Sequence, residues 1–265
     1  MGHHGVMSDS STHGRSPVRA GAEPFIAPGG RVGVLLSHGF TGSPASMVPW
    51  GRRLAELGHT VTVPLLPGHG TTWQEMNTTT WRDWYGELDA ALTDLREQCD
   101  WVAVCGLSMG GALALRLAEQ RPEDVDALVL VNPAIAMKRL DLKAVPLLSR
   151  VLPSIGGISN DIKQPGQDEV AYARTPLKAL ASQLQLWRDV RENLDRVTAP
   201  LLMFRSLEDH VVDATTADLV MKGVSSSQRE LVELRDSYHV ATLDHDAEFI
   251  MERSAQFIAD HAPLP

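Results

Sequence analysis

The sequence predicts an α/β fold: a mostly parallel central sheet flanked by helices, with one small lid or cap insertion. Three observations lead there. Short, near-continuous apolar runs recur along the chain, segments with apolar residues at helical spacing fall between them, and one long stretch breaks that rhythm. Apolar runs that do not alternate imply burial on both faces, as in a parallel sheet covered by helices on each side. The 265 residues allow one large domain or two small ones, and α/β folds often use this length as a single unit.

Residues 1–24 carry Gly, Ser, His and Arg but no apolar stretch of signal-peptide type. They read as a disordered tail ahead of a domain spanning 25–265, and a cytoplasmic location is the expectation. The first strong strand is expected over 32–37, followed by a helix over 46–57 and a strand over 60–64. A helix over 81–96 leads to the strand at 101–105, and a helix over 111–120 leads to the strand at 127–131. Gly or Pro punctuates several of these ends. From about 134 to 199 no convincing strand is evident until the alternation resumes at 201–205, although 177–194 has helical spacing. So long an insertion inside a compact domain is expected to be a lid over a site. It carries Leu142, Val145, Leu147, Leu148, Val151, Leu152 and Ile155, which either face a pocket or bury themselves against the sheet. A helix over 214–222, a strand over 230–234 and a helix over 244–261 complete the series.

Composition removes several functions. Lys and Arg number 24 against 33 Asp and Glu, and the formal charge of -9 would be repelled by a phosphate backbone, so nucleic acid is not an expected partner. The longest apolar runs, 32–36 and 127–131, are far below the roughly 18 to 20 residues of a membrane span, so no transmembrane segment is expected. Cys99 and Cys105 are the two cysteines, and Cys105 sits inside an apolar run, which argues against a disulfide framework and fits a reducing compartment. No Cys/His cluster has zinc spacing, and neither a metal nor an organic cofactor is expected.

Gly106-Leu-Ser-Met-Gly110 matches G-x-S-x-G and lies between an expected strand and an expected helix, the context that gives this motif meaning. So tight a turn holds Ser108 in a strained conformation, presents its hydroxyl above the sheet, and requires neighbours without Cβ. The helix N-terminus and the Met109 backbone N–H favour negative charge beside that hydroxyl. The bland alternative is a Gly-rich turn with an N-capping Ser. His38-Gly-Phe-Thr-Gly42 follows the first strong strand, where the Phe40 N–H is the candidate second oxyanion donor and His38 reads as a structural hydrogen-bonder.

Ser37-His-Gly-Phe-Thr-Gly42, Pro67-Gly-His-Gly70 and Gly106-Leu-Ser-Met-Gly-Gly111 together resemble the α/β-hydrolase superfamily, and within it the bacterial carboxylesterase and monoacylglycerol lipase group. The likeness runs from about residue 33 to 258. It implies an α/β-hydrolase fold and the chain order nucleophile, acid, base. Ser206-Leu-Glu-Asp-His-Val-Val is similar to the family's G-x-x-D-x-x-V, with Ser206 where Gly is commoner, which makes Asp209 the acid. Glu208 reads instead as a solvated charge and Asp213 as a helix N-cap. His239, in the loop before the last helix, is the implied general base, while His210 and His245 read as surface histidines. The implied reaction is ester hydrolysis through an acyl-enzyme on Ser108, with an apolar acyl chain as substrate and monoacylglycerols or similar medium- and long-chain esters as the class. Acyl transfer or thioester hydrolysis on the same triad, and a non-catalytic binding module, are the alternatives. Whether the chain forms a homodimer is left open.

Overall fold

A computed structural model of the chain describes residues 16–137, 140–157 and 159–263. Its N-terminal half contains β1 (Phe25–Ala27), β2 (Val32–Ser37), α1 (Val48–Glu56), β3 (Thr60–Val63), α2 (Trp73–Met76), α3 (Trp81–Arg96), β4 (Trp101–Leu107), α4 (Met109–Gln120) and β5 (Ala127–Val131). There follow α5 (Val145–Leu148), β6 (Ser154–Gly156), β7 (Arg174–Pro176), α6 (Leu177–Arg191), β8 (Leu201–Ser206), α7 (Thr215–Gly223), β9 (Arg229–Leu234) and α8 (Ala247–His261). All six strands expected from the apolar runs are present, with ends displaced by at most two residues.

Seven strands form one sheet in the order β1-β3-β2-β4-β5-β8-β9. Every pairing is parallel except β1 with β3. The three-residue β1 escaped the sequence reading because so short an edge strand, exposed at Ile26, has no apolar run of its own. The register aligns the carboxyl ends of the central strands: Ser37 lies opposite Gly106, Leu107 opposite Val131, and Ser206 opposite Leu234. Strand order reverses between β2 and β4, and a crevice at that reversal, outside the carboxyl ends, is where open α/β sheets bind ligands.

The sheet divides the core in two. Val102 and Val104 of β4 face Trp84, Leu88, Leu113 and Leu186, on the side of α3, α4 and α6. Ala103, Cys105 and Leu107 face the opposite way, towards Trp50 and Leu54 of α1 and Ile250 and Ile258 of α8. Thr80 starts α3 with its N–H donated to the Asp83 carboxylate at 2.7 Å, which satisfies one of the orphan donors of the first turn. Helix α4 is buried nearly all round, with only Arg116 half-exposed in its first eleven residues, because α3 and α6 both lie against it.

The insertion is less of a detached lid than the sequence suggested. Ala179, Leu186 and Val190 of α6 belong to the same buried cluster as α4. Contrary to the strandless expectation, β6 and β7 form a small antiparallel sheet, with Ile155 opposite Thr175. Three-residue strands pair too briefly to leave a period-two pattern. Of the expected disordered tail, residues 1–15 lie outside the described residues. Residues 16–24 are tied down: Ala22 is buried, the Arg19 N–H donates to the Gly70 carbonyl at 2.7 Å, and its guanidinium donates to the Ala171 carbonyl at 3.0 Å.

The junction between β4 and α4 leaves no room for a side chain at two glycines. A Cβ on Gly106 would overlap the Gly110 carbonyl, and one on Gly110 would overlap the carbonyls of Ser37 and His38. Gly106→Ala and Gly110→Ala are each expected to lower unfolding free energy by at least about 2 kcal/mol, since backbone atoms cannot yield as a flexible side chain would. Urea unfolding of the two variants checks this; native midpoints would contradict it.

Candidate functional site

Ser108 joins β4 to α4 with φ 56° and ψ -118°, a left-handed conformation that a residue with a Cβ adopts at a cost of about 1–3 kcal/mol. Its backbone is fixed on both sides: Ser108 N–H donates to the Val131 carbonyl at 3.0 Å, and its own carbonyl accepts from Ala134 N–H at 3.0 Å. The side chain therefore stands clear of the turn.

Two loops from later strands reach it. Ser108 Oγ lies 2.8 Å from His239 Nε2, and His239 Nδ1 lies 2.8 Å from Asp209 Oδ2. The ring and the carboxylate are both almost fully buried. Asp209 Oδ1 accepts the N–H groups of Val211 and Val212 at 2.8 and 2.7 Å, so the carboxylate is held with its other oxygen turned to the imidazole. An acceptor at Nδ1 fixes the proton there and leaves Nε2 free to accept the serine hydroxyl. Burial pulls the His239 pKa down, but the charge and hydrogen bond of Asp209, then the charges of Glu169 and Asp161, outweigh it and raise the pKa above its ordinary value.

The other candidates fall elsewhere. Glu208 is exposed and paired with Lys163, and Asp213 accepts the Thr215 N–H at 2.8 Å beside the start of α7. His245 is exposed and precedes α8, which begins at Ala247 rather than at 244. His210 is more than half exposed but is not idle, since its Nδ1 lies 2.8 Å from Asp161.

Phe40 lines the cavity above Ser108, and among the described residues neither its N–H nor that of Met109 has a hydrogen-bond acceptor. Gly39 packs so close to Ser108 that a Cβ would lie 3.3 Å from the serine Cβ. His38 is buried behind this loop. Its Nε2 accepts the Leu66 N–H at 3.2 Å, so the proton sits on Nδ1, which donates to the Gly39 carbonyl at 3.0 Å. Because Gly39 C=O and Phe40 N–H belong to one planar peptide, holding the oxygen aims the amide. Burial, partly opposed by that bond, lowers the His38 pKa to about 4, which keeps the ring neutral. His69 packs edge-on against it, with ring centroids 4.9 Å apart.

Sequence reasoning missed three polar residues. Asn132, at φ 43° beyond β5, donates to the His239 carbonyl at 2.8 Å and to Ser206 Oγ at 2.9 Å, and accepts the Ser206 N–H at 2.7 Å. Ser206 Oγ in turn donates to the Tyr238 carbonyl at 2.8 Å, so its hydroxyl links β8 to the His239 loop. Glu169 and Asp161, both from the insertion, line the cavity. Burial drives the Glu169 carboxyl above the usual range, against the hydrogen bond it accepts from Asn160 N–H. No local motif marks these three: Asn132 and Asp161 gain their partners through contacts distant in sequence, and Glu169 meets the cavity only once the insertion has folded over it.

The cavity over Ser108 has a volume of about 270 Å³. Leu107, Met137, Leu142, Val145, Ile155 and Trp187 supply apolar lining, while Leu147, Leu148, Val151 and Leu152 are exposed. The insertion's apolar residues thus divide between cavity and outer surface. No group of three or more metal-ligating side chains occurs among the described residues.

Comparison with known proteins agrees with this architecture. The family profile Hydrolase_4, described as serine aminopeptidase S33, matches residues 30–246. A thermostable monoacylglycerol lipase of Bacillus sp. (strain H-257) is 45% identical over 253 residues, covering 93% of this chain and 98% of its own. A carboxylesterase of Bacillus subtilis (strain 168) is 29% identical over 239 residues, covering 89% of this chain and 96% of its own. A chain solved in work on LipS and LipT, two metagenome-derived lipolytic enzymes, superposes with a TM-score of 0.90 at 43% identity, covering 92% of this chain and 100% of its own. The resemblance read from the three glycine-rich motifs therefore holds along nearly the whole chain, which belongs to the Hydrolase_4 family and is a hydrolase of the α/β-hydrolase fold.

Proposed function

We propose that the chain is a serine carboxylic-ester hydrolase acting on monoacylglycerols or similar medium- and long-chain acyl esters, with Ser108 as nucleophile, His239 as general base and Asp209 as the acid of the triad. The observation that carries this reading is the continuous hydrogen-bonded line from Ser108 Oγ through His239 to Asp209, set beneath a largely apolar cavity. His239 Nε2 takes the hydroxyl proton as Oγ attacks the ester carbonyl, and Asp209 stabilises the imidazolium that results. The Phe40 and Met109 N–H groups receive the developing oxyanion, each worth about 2.7–4 kcal/mol of barrier. The imidazolium then protonates the leaving alcohol oxygen as its bond to the acyl carbon breaks. Water attacks the acyl-enzyme with the same base, releasing the fatty acid and restoring Ser108.

The cavity supports an acyl chain among its apolar walls and a hydroxylated alcohol against Glu169, whose buried carboxyl has hydrogen-bonding capacity beyond its bond from Asn160 N–H. The insertion supplies part of both, which is the case for its acting as a lid. The 45%-identical relative is named for monoacylglycerols, which supports the same substrate class for this chain.

Ser108→Ala is expected to lower kcat at least about a thousandfold on p-nitrophenyl esters and monoacylglycerols and to abolish fluorophosphonate labelling, with the fold retained by circular dichroism. Wild-type turnover in that variant would end the proposal. An aminoacyl p-nitroanilide is the control, given the family's description; preferential cleavage of it would mean a peptidase. The base must be neutral to accept a proton, and its pKa is raised, so kcat/KM should fall with decreasing pH through a midpoint above 6.5. A pH–rate profile flat between 6 and 8 would remove His239 from the role. Val145→Phe, which fills part of the cavity from the insertion, should shift the preferred p-nitrophenyl ester to a shorter acyl chain, read from kcat/KM across the series.

A further inference from the structure

The insertion does more than roof the cavity, because the segment running from β6 towards β7 is stitched to both loops that carry the His239–Asp209 pair. Asp161 Oδ2 accepts the main-chain N–H of His239 at 3.1 Å, and the Asp161 carbonyl accepts the N–H of Val240 at 3.0 Å. On its other side the same carboxylate meets the acid loop: Oδ2 accepts the His210 N–H at 3.3 Å, and Oδ1 lies 2.8 Å from His210 Nδ1. The next residues along are fixed independently. The buried Asp244 carboxylate accepts the N–H groups of Lys163, Gln164 and Tyr238 at 2.7, 2.9 and 2.9 Å.

We propose that Asp161 is a positioning residue for hydrolysis: it fixes the His239 main chain relative to the acid loop and sets a negative charge beside the imidazole, with His210 balancing that charge from the surface. The inference rests on the Ser108–His239–Asp209 reading above and extends it to a residue of the insertion.

Two functions of the carboxylate are separable. As an acceptor it holds the peptide N–H, which an amide oxygen can also do. As a charge it favours the imidazolium formed when Ser108 is deprotonated, which an amide cannot do. The groups facing His239 are Ser108 from the β4–α4 junction, Asp209 from the loop after β8, and Glu169 and Asp161 from the insertion. The groups facing His210 are Asp161, Asp209 and Glu208, together with Tyr238, whose ring packs edge-on with centroids 4.5 Å apart. Lys163 lies one layer out and pairs with Glu208 and Asp236. The hydrogen bond and charge of Asp161 raise the His210 pKa, so at mildly acidic pH His210 is a cation opposing the charge that Asp161 presents to His239.

The test compares kcat/KM against pH on one p-nitrophenyl ester for the wild type and for Asp161→Asn, Asp161→Glu and His210→Asn, each with its Tm. Asp161→Asn should keep a Tm within a few degrees, lose roughly 3- to 10-fold in kcat, and move the acid-limb midpoint to lower pH by some tenths of a unit. His210→Asn should move that midpoint to higher pH, and Asp161→Glu should return it towards the wild type. Opposite shifts from two contacting residues are not produced by a loop that has merely loosened. If Asp161→Asn and His210→Asn both superpose on the wild-type profile, or shift it in the same direction, the proposal is overturned, whatever happens to Tm. Ser108→Ala and His239→Ala run alongside: wild-type turnover in either means that the triad reading has failed, a result distinct from an unshifted Asp161→Asn profile on an intact triad.

Discussion

The close approach of the start of α4 to the end of β2 governs the geometry of the site. Because Gly110 has no side chain, the helix can lie directly against the carbonyls of Ser37 and His38. The same contact that lets the chain turn through Ser108 brings the His38–Gly42 loop to within a Cβ's width of the serine. Ser108 and the Phe40 and Met109 amides are therefore not placed by separate devices. A single packing constraint between the start of α4 and the end of β2 sets both, and the backbone strain at Ser108 is sustained by the bonds that its own amide and carbonyl make to Val131 and Ala134.

Histidines of the same chain are driven to opposite protonation behaviour by what surrounds them. His38 and His69 are buried among aromatic rings and main-chain groups, with no carboxylate of the described residues shifting either, so desolvation dominates and both stay neutral. His239 is equally buried, yet carboxylates from two segments face it and reverse the sign. One site thus contains a ring suited to fixing a loop with a constant hydrogen bond and another suited to exchanging protons.

Much of the fold was legible because parallel strands buried on both faces announce themselves as unbroken apolar runs; β4 and β5 needed no tertiary information. The serine, its turn and the Phe40 loop were legible because glycine spacing reports local backbone demands. Asp209 and His239 were reached through family likeness and chain order. What could not be read depends on partners remote in sequence. Asn132 looks like an ordinary residue after a strand until β8 and the His239 loop arrive beside it, and Asp161 looks like a loop carboxylate until two other loops close around it. The same holds for residues 16–24, whose polar composition suggests fraying but whose bonds to Gly70 and Ala171 form only in the assembled molecule.

Ser108 and His239 are separated by 131 residues, and β5, the insertion, β8 and β9 must all be in place before the imidazole reaches the hydroxyl. A half-synthesised or partly unfolded chain that has already formed the turn at Ser108 carries only an ordinary alcohol there, no more reactive than any surface serine. On the proposed reading of Ser108 as nucleophile, reactivity emerges only at the last stage of assembly, so covalent capture by an electrophilic phosphonate would count finished molecules and leave stalled or misfolded copies silent.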